Sequence, residues 1–202
     1  MSELTLYLRL GATHIADLAG YDHILFVAAL AVSYPPAAWK RLALLVTAFT
    51  LGHSITLALA TLGWVRISAP LVEALIPATI AITAALQAWQ YRTVAAAQTA
   101  ESHDPLALRF ALATGFGLIH GLGFSNFLRA LLGAEESLVL PLFGFNVGLE
   151  LGQLGILAAV LLLGVMVTRG FGRSRRAWVL TVAAVTGVVA IRLLVARLAA
   201  LG

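Results

Sequence analysis

The sequence LVLPLFGFNVGLELGQLGILAAVLLLGVMVT, from Leu138 to Thr168, contains a single charged residue, Glu150. About 20 helical residues are needed to cross the ~30 Å hydrocarbon core of a bilayer, and this stretch is longer than that. It lacks the alternating polarity that is typical of strands in transmembrane barrels. Because each backbone amide must find its partner within the segment in lipid, the stretch predicts a membrane-spanning α-helix.

Five further apolar stretches flank this one. They run from about Leu4 to Tyr34, Arg41 to Leu62, Ala69 to Tyr91, Leu106 to Leu132 and Ala177 to Leu201. The first is interrupted near Gly20 and ends at Pro35-Pro36, because proline cannot continue a helix. We predict an all-α, polytopic membrane bundle with about six transmembrane helices, or seven if the interrupted segment counts twice. Residues 1–202 are expected to form a single transmembrane domain.

The composition of the chain supports this prediction. Its 202 residues are 61% hydrophobic and 11% charged, with a mean hydropathy of +0.97, whereas soluble domains are roughly 45–50% apolar and about 25% charged. There is no cysteine, which excludes disulfides and thiolate metal ligands. The net charge of +4 reflects arginines that lie mostly at the ends of apolar stretches. They indicate membrane topology, and nucleic-acid binding is not expected.

Basic residues in alternate loops indicate the orientation of the chain. The loops after the first, third and fifth stretches contain or are flanked by Lys40, Arg41, Arg92, Arg109, Arg169, Arg173, Arg175 and Arg176. The positive-inside bias assigns these loops to the cytoplasm, so both termini are predicted to face outward. The expected location is the inner (cytoplasmic) membrane of a bacterium. The first ten residues lack a basic n-region and a small-residue cleavage site, so no cleavable signal peptide is expected.

Polar side chains lie within the apolar stretches, where a charge at the bilayer centre costs about 2.5–3.5 kcal/mol on insertion scales. Four of the five histidines belong to this set, and only His103 falls in a clearly polar link, from Gln98 to Pro105. The candidate metal ligands are His14, Asp22, His23, His53, Glu73, His120, Asn146 and Glu150. Such residues are tolerated when they face a partner or a cavity, so they mark a candidate site.

The spacing of these residues favours a common site. The interruption of the first stretch separates His14 from Asp22 and His23, and a broken helix at membrane depth usually lines a cavity. Asn146 and Glu150 are four residues apart, which places them on one face of their helix.

Glycines in two of the stretches indicate how the helices approach each other. Gly144, Gly148 and Gly152 are spaced by four residues, and so are Gly117 and Gly121. This spacing lets membrane helices come close together. Close contact is necessary if imidazoles from different helices are to bind one ion, because metal–nitrogen bonds are ~2.0–2.1 Å long.

The type of ligand restricts the metal. Imidazole suits zinc, copper, iron and nickel, whereas sites made only of oxygen suit magnesium, calcium and manganese. Several histidines with one or two carboxylates therefore predict Ni²⁺, Co²⁺ or Zn²⁺.

Five sequence blocks, taken together, resemble the HupE/UreJ family in their order and spacing. The blocks are HIADLAGYDHILF (His14–Phe26), TAFTLGHSITLAL (Thr47–Leu59), VEALIPATI (Val72–Ile80), FGLIHGLGF (Phe116–Phe124) and FNVGLELGQ (Phe145–Gln153). The resemblance implies a permease for nickel or cobalt, because the family is associated with hydrogenase and urease accessory loci and is regarded as transporting these metals. It also implies that His14, Asp22 and His23 match a metal-selecting signature of nickel/cobalt permeases.

The leading hypothesis is therefore a permease for nickel or another divalent transition metal, with the ion as substrate, rather than an enzyme. Two alternatives stay open. The first is an intramembrane zinc-dependent hydrolase, in which Ser54 and Glu150 would serve a bound water. The second is a metal-binding accessory protein that does not transport. The expected partners are the metal ion, membrane lipids and, in a homo-oligomer, further copies of the chain.

Overall fold

The computed structural model describes residues 2–18, 20–97, 106–132 and 137–200. These residues form helices and no strand. The helices are α1 (Glu3–Ile15), α2 (Asp22–Ala31), α3 (Trp39–Thr61), α4 (Ala69–Ala97), α5 (Leu106–Leu132), α6 (Val139–Val165) and α7 (Arg175–Ala199). A 3₁₀ turn, Pro36–Ala38, precedes α3, and a π-helical turn, Met166–Gly170, follows α6. The polar link that contains His103 lies outside the described residues.

Five of these helices, α3 to α7, are long and apolar enough to cross a membrane. The predicted all-α polytopic bundle is thus confirmed. The first apolar stretch consists of two helices, α1 ending at Ile15 and α2 beginning at Asp22, on either side of the predicted break near Gly20. With 13 and 10 residues at 1.5 Å per residue, α1 and α2 are about 20 Å and 15 Å long. Each is shorter than the ~30 Å hydrocarbon core.

The two short helices follow α6 in the same direction. Residues 4–15 of α1 lie beside residues 144–152 of α6. Ala31, at the end of α2, lines a cavity together with Val160, which lies farther along α6. The two helices therefore form successive halves of one crossing. This arrangement fits six crossings, because in a six-crossing chain the first and fifth segments run in the same direction.

Glycines form the contact between α3 and α5, which also run in the same direction. A Cβ atom on Gly117 would overlap with the carbonyl oxygen of Phe49, and one on Gly121 would overlap with the carbonyl oxygen of His53. Because side chains are absent at these positions, the two backbones touch. The contact holds His53 and His120 side by side on adjacent helices.

A second glycine contact joins α1 to α6. A Cβ atom on Gly148 would overlap with the carbonyl oxygen of Leu8, and one on Gly11 would overlap with that of Phe145. The two predicted glycine repeats thus lie at helix–helix interfaces. The remaining long pair, α4 and α7, is antiparallel, with Gly187 beside Ala84.

We expect Gly148→Ala to destabilise the protein by about 1–3 kcal/mol, because the added methyl group forces α1 and α6 apart. Gly155→Ala is the matched control in the same helix, since nothing lies within 4 Å of a Cβ atom there. It should be neutral or stabilise the helix by up to about 1 kcal/mol. The measurement is the free energy of unfolding in detergent; equal stability of the two variants would contradict the packing described here.

Candidate metal centre

Four histidines from four different helices meet inside the bundle. His14 lies in the last turn of α1 and His23 in the first turn of α2, so the break in the first crossing brings them together. The ring centroid of His23 is 5.0 Å from that of His14, 5.9 Å from that of His53 and 5.1 Å from that of His120. His23 is thus the central member of the cluster and contacts the other three.

Three of these histidines have the spacing of a metal site. One ring nitrogen from each of His14, His23 and His53 lies within 4.8 Å of the other two. Two nitrogens that bind the same ion at ~2.1 Å can be at most about 4.2 Å apart. Small rotations of the rings are therefore enough to bring the three nitrogens to one ion. The ring of His120 adjoins that of His23 and can provide a fourth ligand.

Five ring nitrogens of these four histidines are buried and have no hydrogen-bond partner among the described residues. They are Nε2 of His14, Nε2 of His23, both nitrogens of His53 and Nδ1 of His120. Leaving a buried polar atom unpaired costs about 1–3 kcal/mol. A histidine that only fills space in a core usually has a hydrogen bond, so several unpaired nitrogens at one point are better explained by a ligand that they share.

Aromatic rings surround the cluster. The ring of Phe124 is 3.8 Å from that of His14, and the ring of Phe49 is 5.1 Å from that of His120. His53 and His120 are 0% and 1% exposed. This apolar surrounding excludes competing water and strengthens electrostatic interactions with a cation.

Thr79 of α4 orients the ring of His120. Its hydroxyl oxygen is 2.7 Å from the carbonyl oxygen of Ile76 and 2.9 Å from Nε2 of His120. A hydroxyl has one hydrogen, and a neutral imidazole has one N–H. If the hydroxyl donates to Ile76, as threonine commonly does in membrane helices, it accepts the Nε2–H of His120. We assign the lone pair to Nδ1 on this basis, and Nδ1 is buried without a partner among the described residues.

The predicted ligands of α6 form hydrogen bonds of their own. Glu150 accepts a 2.6 Å hydrogen bond from Thr47, and Asn146 donates a 2.8 Å hydrogen bond to the carbonyl oxygen of Leu142. Thr47 precedes His53 by six residues, or about 9 Å along α3. One oxygen of Glu150 and the side-chain oxygen of Asn146 are nevertheless buried without a partner. They remain free to accept a hydrogen bond or to contact a cation.

The remaining acidic candidates lie toward the end of the bundle where α4 begins. Glu73 forms a 3.0 Å ion pair with Arg197 of α7, and both side chains are about half exposed. Asp22 lies in the first turn of α2, next to His23 in the chain, and is half-buried. Its carboxylate also interacts electrostatically with Arg197. These charges flank the side of the cluster that faces this end of the bundle.

Two polar residues of the site were not among the predicted ligands. Thr79 was missed because its contact with His120 joins two helices, and a threonine in an apolar helix gives no signal of its own. Gln153 is fully buried and accepts a 2.7 Å hydrogen bond from Thr50, so it links α3 to α6. Its position on the same face as Glu150 was the available signal. Ser54, which the hydrolase hypothesis would use, donates a 2.7 Å hydrogen bond to the carbonyl oxygen of Thr50.

Comparison with known proteins gives one informative result. A family model described as HupE / UreJ protein matches residues 1–197, nearly the whole chain. This match confirms the resemblance found in the five sequence blocks. Searches of curated proteins and of solved structures gave no match.

Replacing Thr79 tests the orientation of His120. We expect Thr79→Val to weaken Co²⁺ binding about 10- to 100-fold, because the hydroxyl that holds the Nε2–H is lost. Thr79→Ser keeps the hydroxyl and should bind Co²⁺ like the unmodified protein. Titration of the purified protein, followed by the visible absorption of bound Co²⁺, measures both. Normal binding by Thr79→Val would exclude this role.

Proposed function

The chain belongs to the HupE/UreJ family, and on that premise we propose that it is a membrane permease for a divalent transition metal, nickel or cobalt in the first instance. The observation that carries the proposal is the convergence of His14, His23, His53 and His120 inside the bundle, where each ring has at least one buried nitrogen without a hydrogen-bond partner among the described residues. Zinc is a further candidate substrate, since neutral imidazoles also suit it.

The histidines are proposed as the principal ligands. Neutral imidazoles bind a borderline cation without a net negative charge, so the ion is held by coordinate bonds more than by ion pairing. Such a site suits a transported ion, because a fully paired anionic cage would hold it too tightly to release. Metal binding requires deprotonated imidazoles, so uptake is expected to compete with protons.

We propose that the acidic residues and Asn146 contact the ion before it reaches the histidines and after it leaves them. Glu73 and Asp22 lie on the side where α4 begins, and they would attract a hydrated cation toward the cluster. Arg197 would be displaced as the ion arrives, because it already interacts with both carboxylates. Asn146 and Glu150, each with an unpaired buried oxygen, would supply further oxygen contacts along α6.

The orientation follows the basic residues. Arg175 donates a hydrogen bond to the carbonyl oxygen of Ser33, and Arg41 and Arg109 line one cavity. Basic residues from the three predicted cytoplasmic loops therefore lie near one end of the bundle, which supports their common assignment. We propose that this end is cytoplasmic, that both termini face outward, and that the protein lies in a bacterial inner membrane. A homo-oligomer is proposed as the assembly.

Removal of one cluster histidine is expected to abolish transport. His23→Ala or His120→Ala should reduce Ni²⁺ accumulation by cells at least tenfold, because each removes a ligand from the shared site. His103→Ala removes a histidine that the sequence assigns to a polar link, and it should leave accumulation unchanged. Elemental analysis of washed cells that contain equal amounts of each protein gives the result. Accumulation by a His23→Ala/His120→Ala double variant at the normal level would refute the proposal.

The same assay in proteoliposomes separates transport from the alternatives. A permease accumulates Ni²⁺ inside vesicles, whereas an accessory protein or a hydrolase binds metal without moving it across the bilayer. Stoichiometric binding by the purified protein without accumulation would therefore favour one of those alternatives.

Glu73→Gln tests the proposed entrance. We expect uptake at low Ni²⁺ concentration to fall several-fold, while binding by the purified protein is unchanged, since the histidines are intact. The stability of the protein should change little, because exposed ion pairs contribute only about 0–1 kcal/mol. Glu3→Gln is a control, because it removes an exposed carboxylate from the first turn of α1. If both variants alter uptake equally, surface charge alone explains the effect.

A further inference from the structure

The cavity that Ala31 and Val160 line lies between the end of α2, the last turns of α6 and the start of α7. Its volume is about 260 Å³. It is lined at one level by Val160, Leu161 and Val165 and at another by Arg169 and Arg175. Val160 and Arg169 are nine residues apart, which corresponds to about 14 Å along a helix. The cavity is therefore apolar at membrane depth and cationic at the end of the bundle where the basic residues lie.

The two arginines are not neutralised within the described part of the chain. The exposed side chain of Arg169 has no hydrogen bond or ion pair there, and the side chain of Arg175 donates only to the carbonyl oxygen of Ser33. No residue that lines the cavity is acidic. Two guanidinium groups at one end of a cavity favour an anion with several oxygens, because guanidinium matches the geometry of phosphate.

Two local features of α6 and α7 lie at this cavity. The nitrogen of the Trp178 indole lies 3.1 Å from the position of a Cβ atom on Gly164, so the indole rests directly against α6. Its N–H has no partner among the described residues, and tryptophan is enriched at the level of lipid headgroups. The π-helical turn Met166–Gly170 carries Arg169. Such turns are rare and are frequently found at functional sites.

We propose that this cavity binds one anionic phospholipid, with its phosphate between Arg169 and Arg175 and an acyl chain along Val160, Leu161 and Val165. A free anion would use the arginines but would leave the apolar wall unoccupied. A zwitterionic lipid such as phosphatidylcholine also carries a phosphate, but its own ammonium group cancels that charge, so the positive charge of the two arginines would have no net counter-charge. The polarity of the cavity changes along the membrane normal as that of a phospholipid does. The proposal is independent of metal transport.

Native mass spectrometry of the purified protein in detergent tests the proposal. Phosphatidylglycerol and phosphatidylcholine with identical acyl chains are added in turn. We expect one phosphatidylglycerol to remain bound and phosphatidylcholine to be lost at the same activation energy. Equal retention of both lipids would overturn the proposal.

The decisive variant is Arg169→Gln/Arg175→Gln. It should weaken phosphatidylglycerol binding about 10- to 30-fold. Each basic residue near a membrane surface contributes to the attraction of anionic lipid, and this variant removes two of them. Arg173→Gln/Arg176→Gln removes the same charge from the same link, and neither residue lines the cavity. This control should bind like the unmodified protein. An equal loss in both double variants would indicate general surface charge and would overturn the site.

A third variant keeps both arginines and fills the apolar wall. Val165→Trp should reduce phosphatidylglycerol binding by a similar factor, and it remains informative if loss of Arg175 impairs folding. Inorganic phosphate provides the last comparison. If phosphate displaces the lipid at equal concentration, or if Val165→Trp binds phosphatidylglycerol normally, the ligand is a free anion and the lipid proposal fails.

Discussion

The contact between the backbones of α3 and α5 is the constraint on which the rest of the structure depends. Lipid chains are as apolar as leucine, so helices in a bilayer associate through close packing rather than through the hydrophobic effect. At Gly117 and Gly121 the packing is so close that a single methyl group would collide with the neighbouring backbone. This proximity fixes His53 and His120 relative to each other. The histidines of α1 and α2 complete the cluster, in which the contact between α3 and α5 fixes the other two.

The cluster itself works against stability. Unpaired nitrogens and partly buried carboxylates are unfavourable in an apolar interior. The free-energy cost of each such group is a large fraction of the net free energy of unfolding of a protein. Glycine contacts on both sides, α3 with α5 and α1 with α6, provide the opposing attraction. The polar bonds that do form, from Thr79 to His120 and from Thr50 to Gln153, join helices around the cluster and hold its shape.

The sequence predicted the helices, the break near Gly20 and the grouping of polar residues, because each depends on local composition or on spacing within one helix. The convergence of the histidines was predictable from the glycine repeats, because such repeats indicate that the helices carrying them pack closely. The partners of the carboxylates were not predictable. Glu150 with Thr47 and Glu73 with Arg197 are pairs from distant parts of the chain, and no periodicity within one segment determines how two helices are rotated against each other.

The break in the first crossing also places His14 and His23 on separate helices, so that one can move relative to the other. His14 belongs to a helix that packs against α6 and ends at Ile15, whereas His23 lies in the first turn of a separate helix of 10 residues that begins at Asp22. If α2 tilts by about 10° about its far end, about 15 Å away, His23 moves by about 2.6 Å. That displacement exceeds the tolerance of a coordinate bond, so a modest reorientation of the shortest helix would be enough to disassemble the cluster while every long helix stays in place.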